Sequence, residues 1–153
     1  MKDIDATDAR ILSVLQRRGR ISNAELAEEV SLSSSACHRR VQRLETEGFI
    51  RGYVALLDPA LMDRKTVVYV EITLSTQSDE VLAAFEREVA RIPDVLECHL
   101  MAGKADFLLK VVARDTEDFA VIHRKKLARL PGIAQMQSAF SLKTVRQTTA
   151  LPV

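Results

Sequence analysis

The chain has no tryptophan, only two cysteines, five glycines and four prolines among 153 residues. Two cysteines, Cys37 and Cys98, are too few for a disulfide-stapled scaffold, and they stand in no CxxC spacing that would read as a zinc site. Both fall on apolar faces, so buried free thiols in a reducing compartment are expected. Glycine and proline are too scarce for a low-complexity chain, and no phosphate-cradling glycine loop is present. Net charge is +1, from 22 basic and 21 acidic residues. No global basic field therefore draws nucleic acid, and any such attraction must come from locally clustered arginines. No apolar run approaches membrane-spanning length and the N-terminus lacks a signal-peptide core, so a cytoplasmic protein with no membrane partner is expected. Catalytic clusters are missing too. His38, His99 and His123 lie on separate elements, and Cys98 and His99, adjacent on a strand, point to opposite faces. Neither an enzyme, a metal site nor a cofactor is expected.

What is present is core-forming: 47% of residues are hydrophobic and 28% charged, enough for one domain or two small ones. The most structured stretch is Arg20 to Tyr53, RISNAELAEEVSLSSSACHRRVQRLETEGFIRGY. Ser22 with Glu25 forms a capping box, and Ile21 with Leu26 a hydrophobic staple. Leu26 and Val30 share a face of the short helix that follows. A turn at Ser31-Leu32-Ser33 leads to a second helix, with Ser33 as its cap and Gly48 just past its end. Helical spacing puts Ser34, Cys37, Val41 and Leu44 on a core stripe. Ser35, Ala36, Arg39 and Arg43 fall opposite, flanked by His38, Arg40 and Gln42. An apolar back and a small, cationic front after a tight turn form the layout of a helix-turn-helix reader. Small residues permit close approach to base edges, and arginines reach guanine or phosphate. The helix N-terminus, with Ser33 and Ser34, adds backbone donors for a phosphate. An ordinary helical hairpin with solvated arginines is the alternative.

Upstream, residues 5 to 18 read as a first helix. Asp5 caps it, Asp8 stands at the capping-box position, and Ile11, Leu12 and Leu15 form its buried stripe. Ile50 to Leu56 is extended, giving a winged variant, and Asp58-Pro59 breaks the pattern. From Thr66 the period becomes two, with Val68, Val70, Ile72 and Leu74 on one strand face and Val67, Tyr69, Glu71 and Thr73 on the other. A helix from Ser78 carries Val81, Leu82, Phe85, Val89 and Ile92 on one side. Strands over Val95 to Met101 and Phe107 to Ala113 flank the Ala102-Gly103-Lys104-Ala105 turn. A helix capped by Thr116 and a last strand over Ile133 to Val145 complete a βαββαβ order. The fold class is α+β, an N-terminal winged helix-turn-helix plus a C-terminal ferredoxin-like βαββαβ sandwich. The expected divisions are residues 1–57, a connector over 58–65, and 66–153. A sheet face bearing Val67, Tyr69 and Thr73 is too apolar to stay in water, so a homodimer joined through the sheets is expected.

Taken in order, these motifs resemble the leucine-responsive / asparagine-regulator (Lrp/AsnC) family of transcription factors. The first half matches at Asp5, Asp8, Arg20-Ile21-Ser22, Glu25-Leu26-Ala27, Val30, Leu32-Ser33, Cys37, Arg40-Val41, Arg43-Leu44-Glu45 and Gly48-Phe49-Ile50. The second half matches at Glu97-Cys98-His99-Leu100 through Gly103, Asp106 to Leu109, Leu130-Pro131-Gly132 and Leu151-Pro152. The resemblance implies a regulator of double-stranded DNA controlled by a small amino acid or related metabolite. It further implies assembly as a homodimer and onward to a tetramer or octamer, with the effector near the Gly-x-x-Asp turn and the last strand, where dimers meet. Gly103 and Asp106 carry over from the family directly; Met101, Lys104, Met136 and Ser138 are the other expected contacts, Lys104 as a cation and Met136 as an apolar wall. The sequence departs from the family at Ser31, where glycine is frequent, and at Ser34 and Ala36, where proline is. It departs again at Lys104, where an acid is frequent, and at Met136 and Ser138, where threonines are typical. Asp106 has a second reading, as a hairpin residue that only binds nearby backbone amides. For the whole chain the alternative is a metabolite-sensing module whose N-terminal unit contacts another protein.

Overall fold

The computed structural model describes residues 3–153, in two compact units. One comprises the chain up to Leu56 together with Arg146–Val153, and the other is Leu57–Val145. The C-terminal tail thus packs with the first unit in space, although it follows the βαββαβ segment in sequence. Its anchor is a reciprocal amide pair: the Gln16 side chain donates to the Leu151 carbonyl at 3.0 Å and accepts the Leu151 N–H at 2.5 Å.

The first unit is built on three helices, α1 (Ala6–Arg17), α2 (Asn23–Glu29) and α3 (Ser34–Thr46). Both expected capping boxes are present, Asp5 with Asp8 on α1 and Ser22 with Glu25 on α2. Ile11, Leu12, Val14, Leu26, Ala27, Val30, Cys37 and Leu44 are buried together, and Leu15 lies only partly in that cluster. Ser34, expected on the core stripe, is exposed instead: it shares that stripe with Cys37 and Leu44 but is the first residue of α3, at the end of the helix rather than over the packed turns. Between α2 and α3 the chain reverses at Ser31, whose φ is +58°. The Leu32 N–H bonds Ala27 O and the Ser31 N–H bonds Glu28 O, the paired closure of a helix end by a left-handed residue. Residues 51–58 beyond α3 carry no helix or strand.

The second unit is a four-stranded antiparallel sheet with two helices on one face. Its strands are β1 (Thr66–Leu74), β2 (Val95–Leu100), β3 (Phe107–Ala113) and β4 (Ile133–Phe140), in spatial order β2-β3-β1-β4. Helices α4 (Asp79–Val89) and α5 (Thr116–Lys125) follow β1 and β3. The buried alternation Val68, Val70, Ile72, Leu74 meets Phe107, Leu109 and Val111 across the β1–β3 pair, and Phe85 of α4 stacks on Phe107 at 4.5 Å between ring centroids. Asp115, not Thr116, caps α5 by accepting the Asp118 N–H. The last strand stops at Phe140 rather than Val145. It pairs only with β1, and once Val67 O has taken the Ser141 N–H that strand is almost at its start. Cys37 is buried as expected, but Cys98 is exposed, because β2 is the sheet edge.

Candidate nucleic-acid interface and effector region

The local sequence of α3 explains the surface it offers. Ser33 adopts an extended conformation and its hydroxyl accepts the Ala36 N–H at 3.3 Å, so the helix starts sharply at Ser34. Asn23 of α2 donates to the Ser34 carbonyl at 2.9 Å, fixing one helix start on the other. With Cys37 and Leu44 buried, helical periodicity turns Ser35, Arg39 and Gln42 outward, flanked by His38, and all four are exposed. Ala36 is half-buried beside them. Arg39 has no ion pair among the described residues.

Arg40 and Arg43 differ from the expectation that they join this front. The Arg40 guanidinium bonds Asp5 Oδ2 at 2.6 Å and Asp8 Oδ1 at 2.8 Å, and that of Arg43 pairs with Asp8 Oδ2. Both side chains reach back to α1. Asp8 is only 1% exposed. Burial alone pushes its carboxyl up, but the Arg40 and Arg43 hydrogen bonds and the Asp5 N–H outweigh that and hold it below the usual range. The Asp5 carboxyl is lowered as well, by the Asp8 N–H and then by Arg40. The sequence marks Asp8 as a capping-box residue and a family match, but not as the acceptor of two arginines. Its arginine partners lie 32 and 35 residues away, beyond any local periodicity.

In the second unit the expected effector residues divide. Met101, Gly103 and Lys104 are exposed in the loop between β2 and β3. Asp106 ends that loop but is buried, and it faces inward: Oδ2 accepts the Leu74 N–H at 2.7 Å and Oδ1 accepts Gln77 Nε2 at 2.5 Å. Met136 and Ser138 are partly buried on the helix-covered side of β4, opposite Ile72 and Val70. Strand β1 lies between them and β3, so they stand roughly 10 Å from the Asp106 row at two strand spacings. One chain therefore does not gather these six residues into a single cavity. A cleft of about 360 Å³ opens elsewhere, between α4 and β2, against Glu86, Leu96, Cys98 and Leu100. Although Cys98 is exposed at the sheet edge, the cleft wall partly desolvates its thiol, and this, then the Glu86 carboxylate, pushes its pKa up, which leaves it a poor nucleophile. Among the described residues no cluster of His, Cys, Asp and Glu could hold a metal ion, and no helix is long and apolar enough to cross a membrane.

A helix-turn-helix unit joined to a βαββαβ unit defines a two-domain regulator, one part for DNA and one for a ligand. Residues 4–51 match the winged helix-turn-helix DNA-binding family, and residues 67–151 match the Lrp/AsnC ligand binding domain. The leucine-responsive regulatory protein of Escherichia coli is 40% identical over 152 residues, spanning 99% of this chain and 93% of that protein. An AsnC family transcriptional regulator from Agrobacterium tumefaciens superimposes with a TM-score of 0.94 at 37% identity, over 97% of both chains. A transcriptional regulator from Neisseria meningitidis, solved as an L-Met complex, gives 0.93 at 35% identity, over 98% of this chain and 97% of that one. The chain belongs to the Lrp/AsnC family of transcription regulators, which are not enzymes.

Proposed function

We propose that this chain is a cytoplasmic regulator that reads duplex DNA through Ser33, Ser34, Ser35, Ala36, His38, Arg39 and Gln42, and that a small amino acid controls it. The observation that carries the reading is the front of α3, where Arg39 stands free of carboxylates between exposed serines and Gln42. An arginine in that position can bond guanine O6 and N7, and the Ser33–Ser35 end presents amides to a phosphate. Arg39→Ala should cost about 1–3 kcal/mol against the preferred sequence and relax specificity at one base pair. Gel shifts at two salt concentrations separate this reading from a protein-contacting N-terminal unit. DNA binding weakens steeply with salt because phosphate neutralisation releases counterions. A salt-insensitive or absent shift sinks it.

For the effector, the loop at Gly103 and Lys104 supplies unhindered amides and a cation for a carboxylate, beside the exposed Met101. Asp106 shapes this loop from below. An apolar effector side chain suits Met101 and Met136, and the L-Met bound by the Neisseria relative supports that chemistry. Because loop and last strand are apart in one chain, the site is completed where homodimers meet in a tetramer or octamer. Calorimetric titration with L-Met and L-Leu tests it. Binding that Lys104→Ala leaves unchanged would exclude the loop.

A further inference from the structure

We propose that Asp8 is a positioning residue for DNA reading: it holds Arg40 and Arg43 against α1, leaving Arg39 as the one arginine of α3 free to meet DNA. The inference rests on the DNA-binding reading of α3. Both Asp8 oxygens are committed, Oδ1 to Arg40 and Oδ2 to Arg43 and the Asp5 N–H. Asp5, fixed in place by the capping box, takes a second bond from Arg40. Two carboxylates therefore neutralise two guanidinium groups. A carboxylate as buried as Asp8 is costly to strip of its partners, so it retains them against a phosphate approaching through solvent.

The consequence lies in the balance between attraction and discrimination. Phosphate contacts bind any sequence, and their number sets the salt dependence, while base contacts specify. An arginine already neutralised by a carboxylate has few counterions to release. Holding two of three arginines back keeps sequence-independent binding weak, so the choice of site depends more on Arg39 and its neighbours.

The test measures equilibrium binding of the full chain to one mixed-sequence duplex, by fluorescence anisotropy, between about 50 and 200 mM salt. Asp8→Asn should steepen the plot of log K against log salt by about 0.9 for each released arginine that reaches a phosphate. Arg43→Gln should leave the wild-type slope unchanged, yet take back about one unit of slope in the Asp8→Asn background. A simple loss of helix packing would lower binding without raising the slope. If Asp8→Asn does not fold, Arg43→Gln and Arg40→Gln alone decide, because neither removes the carboxylate. A wild-type slope that Arg43→Gln reduces by about one overturns the proposal, as does a folded Asp8→Asn protein with an unchanged slope. Wild-type protein that shows no salt-dependent binding refutes the DNA reading itself, and this inference with it.

Discussion

Asp106 and Leu74 are 32 residues apart, yet the carboxylate of one closes the strand of the other by accepting its N–H at 2.7 Å. Strand β1 ends there, and its last amide has a side chain in place of a strand neighbour. Asp106→Ala would leave that amide buried and unpaired, at a cost of about 1–3 kcal/mol. Asp106→Asn keeps an acceptor and should lose less. Urea unfolding of the two variants checks the order. Effector response should survive in the asparagine variant, because the Asp106 oxygens face the sheet rather than the loop. If only the charged residue responds, the carboxylate meets the ligand directly.

Gly132 enters β4 with φ +76° and hands its carbonyl to the Ser75 N–H at 2.8 Å. A Cβ there would lie 2.6 Å from Val81 Cγ1. Gly132→Ala combines a left-handed backbone penalty with overpacking against α4, together roughly 2–4 kcal/mol. A melting temperature within a degree or two of wild type would contradict it.

What could be read in advance was local or periodic. Each capping box, on α1 and on α2, joins two residues only three apart, and the alternation of β1 is written in the strand itself. The front of α3 was legible as a stripe, but the direction its arginines take was not, since Asp8 captures two of them from another helix. Cys98 alternates like a core residue, and only the sheet order places it at an edge. The end of β4 depends on where its partner begins. The Leu151 anchor on Gln16 had no sequence signal at all, because a lone glutamine amide pairs with any backbone it reaches.

Ser31 occupies a left-handed backbone position, φ +58°, at the closure of α2. A side chain in that region costs about 1–2 kcal/mol, which glycine avoids at the expense of a more flexible unfolded chain. Ser31→Gly should therefore stabilise the first unit by roughly 0.5–1 kcal/mol. Affinity for DNA should not change, as Ser31 lies outside the reading front. Destabilisation on chemical unfolding would show that the serine hydroxyl contributes more than its backbone strain costs.

Acid should unfold the chain through its paired carboxylates. The Arg114 guanidinium, then its N–H, lowers Asp118 from an ordinary 3.8 to about 2. Asp5, Asp8 and Glu97 are lowered too. A carboxyl with a depressed folded pKa takes up protons more readily when unfolded. Its stabilisation is complete above the unfolded pKa and disappears as pH falls through the folded one. Stability should be level above about pH 5 and drop between about pH 4 and 2. Asp118→Asn should flatten the lower part of that drop in unfolding curves taken from pH 7 down to 2. A variant as steep as wild type would assign the acid limb elsewhere.

Assembly through the open sheet face needs a sharper probe than its most exposed aromatic. Tyr69 is 40% exposed there, which favours a partner surface, but it lies directly opposite Lys110 in the β1–β3 register. Lys110 in turn bonds Glu97 at 2.7 Å, so the β2 side of the face is already charged. An aspartate at position 69 could borrow that lysine and soften its own effect. Val67 is the better site: it faces Val112, with no cation opposite. A second copy brought face to face about that strip would bury Val67, Tyr69 and Thr73 together. A carboxylate placed among them would be desolvated without a partner. Val67→Asp should therefore convert the wild-type dimer to monomer in light scattering, while Tyr69→Asp weakens it less. DNA binding should fall with it, because twofold half-sites spaced by about one helical turn, roughly 10 bp, are read only by a pair of α3 helices. A wild-type monomer, or a Val67→Asp variant that remains dimeric and folded, would remove this sheet face from the interface.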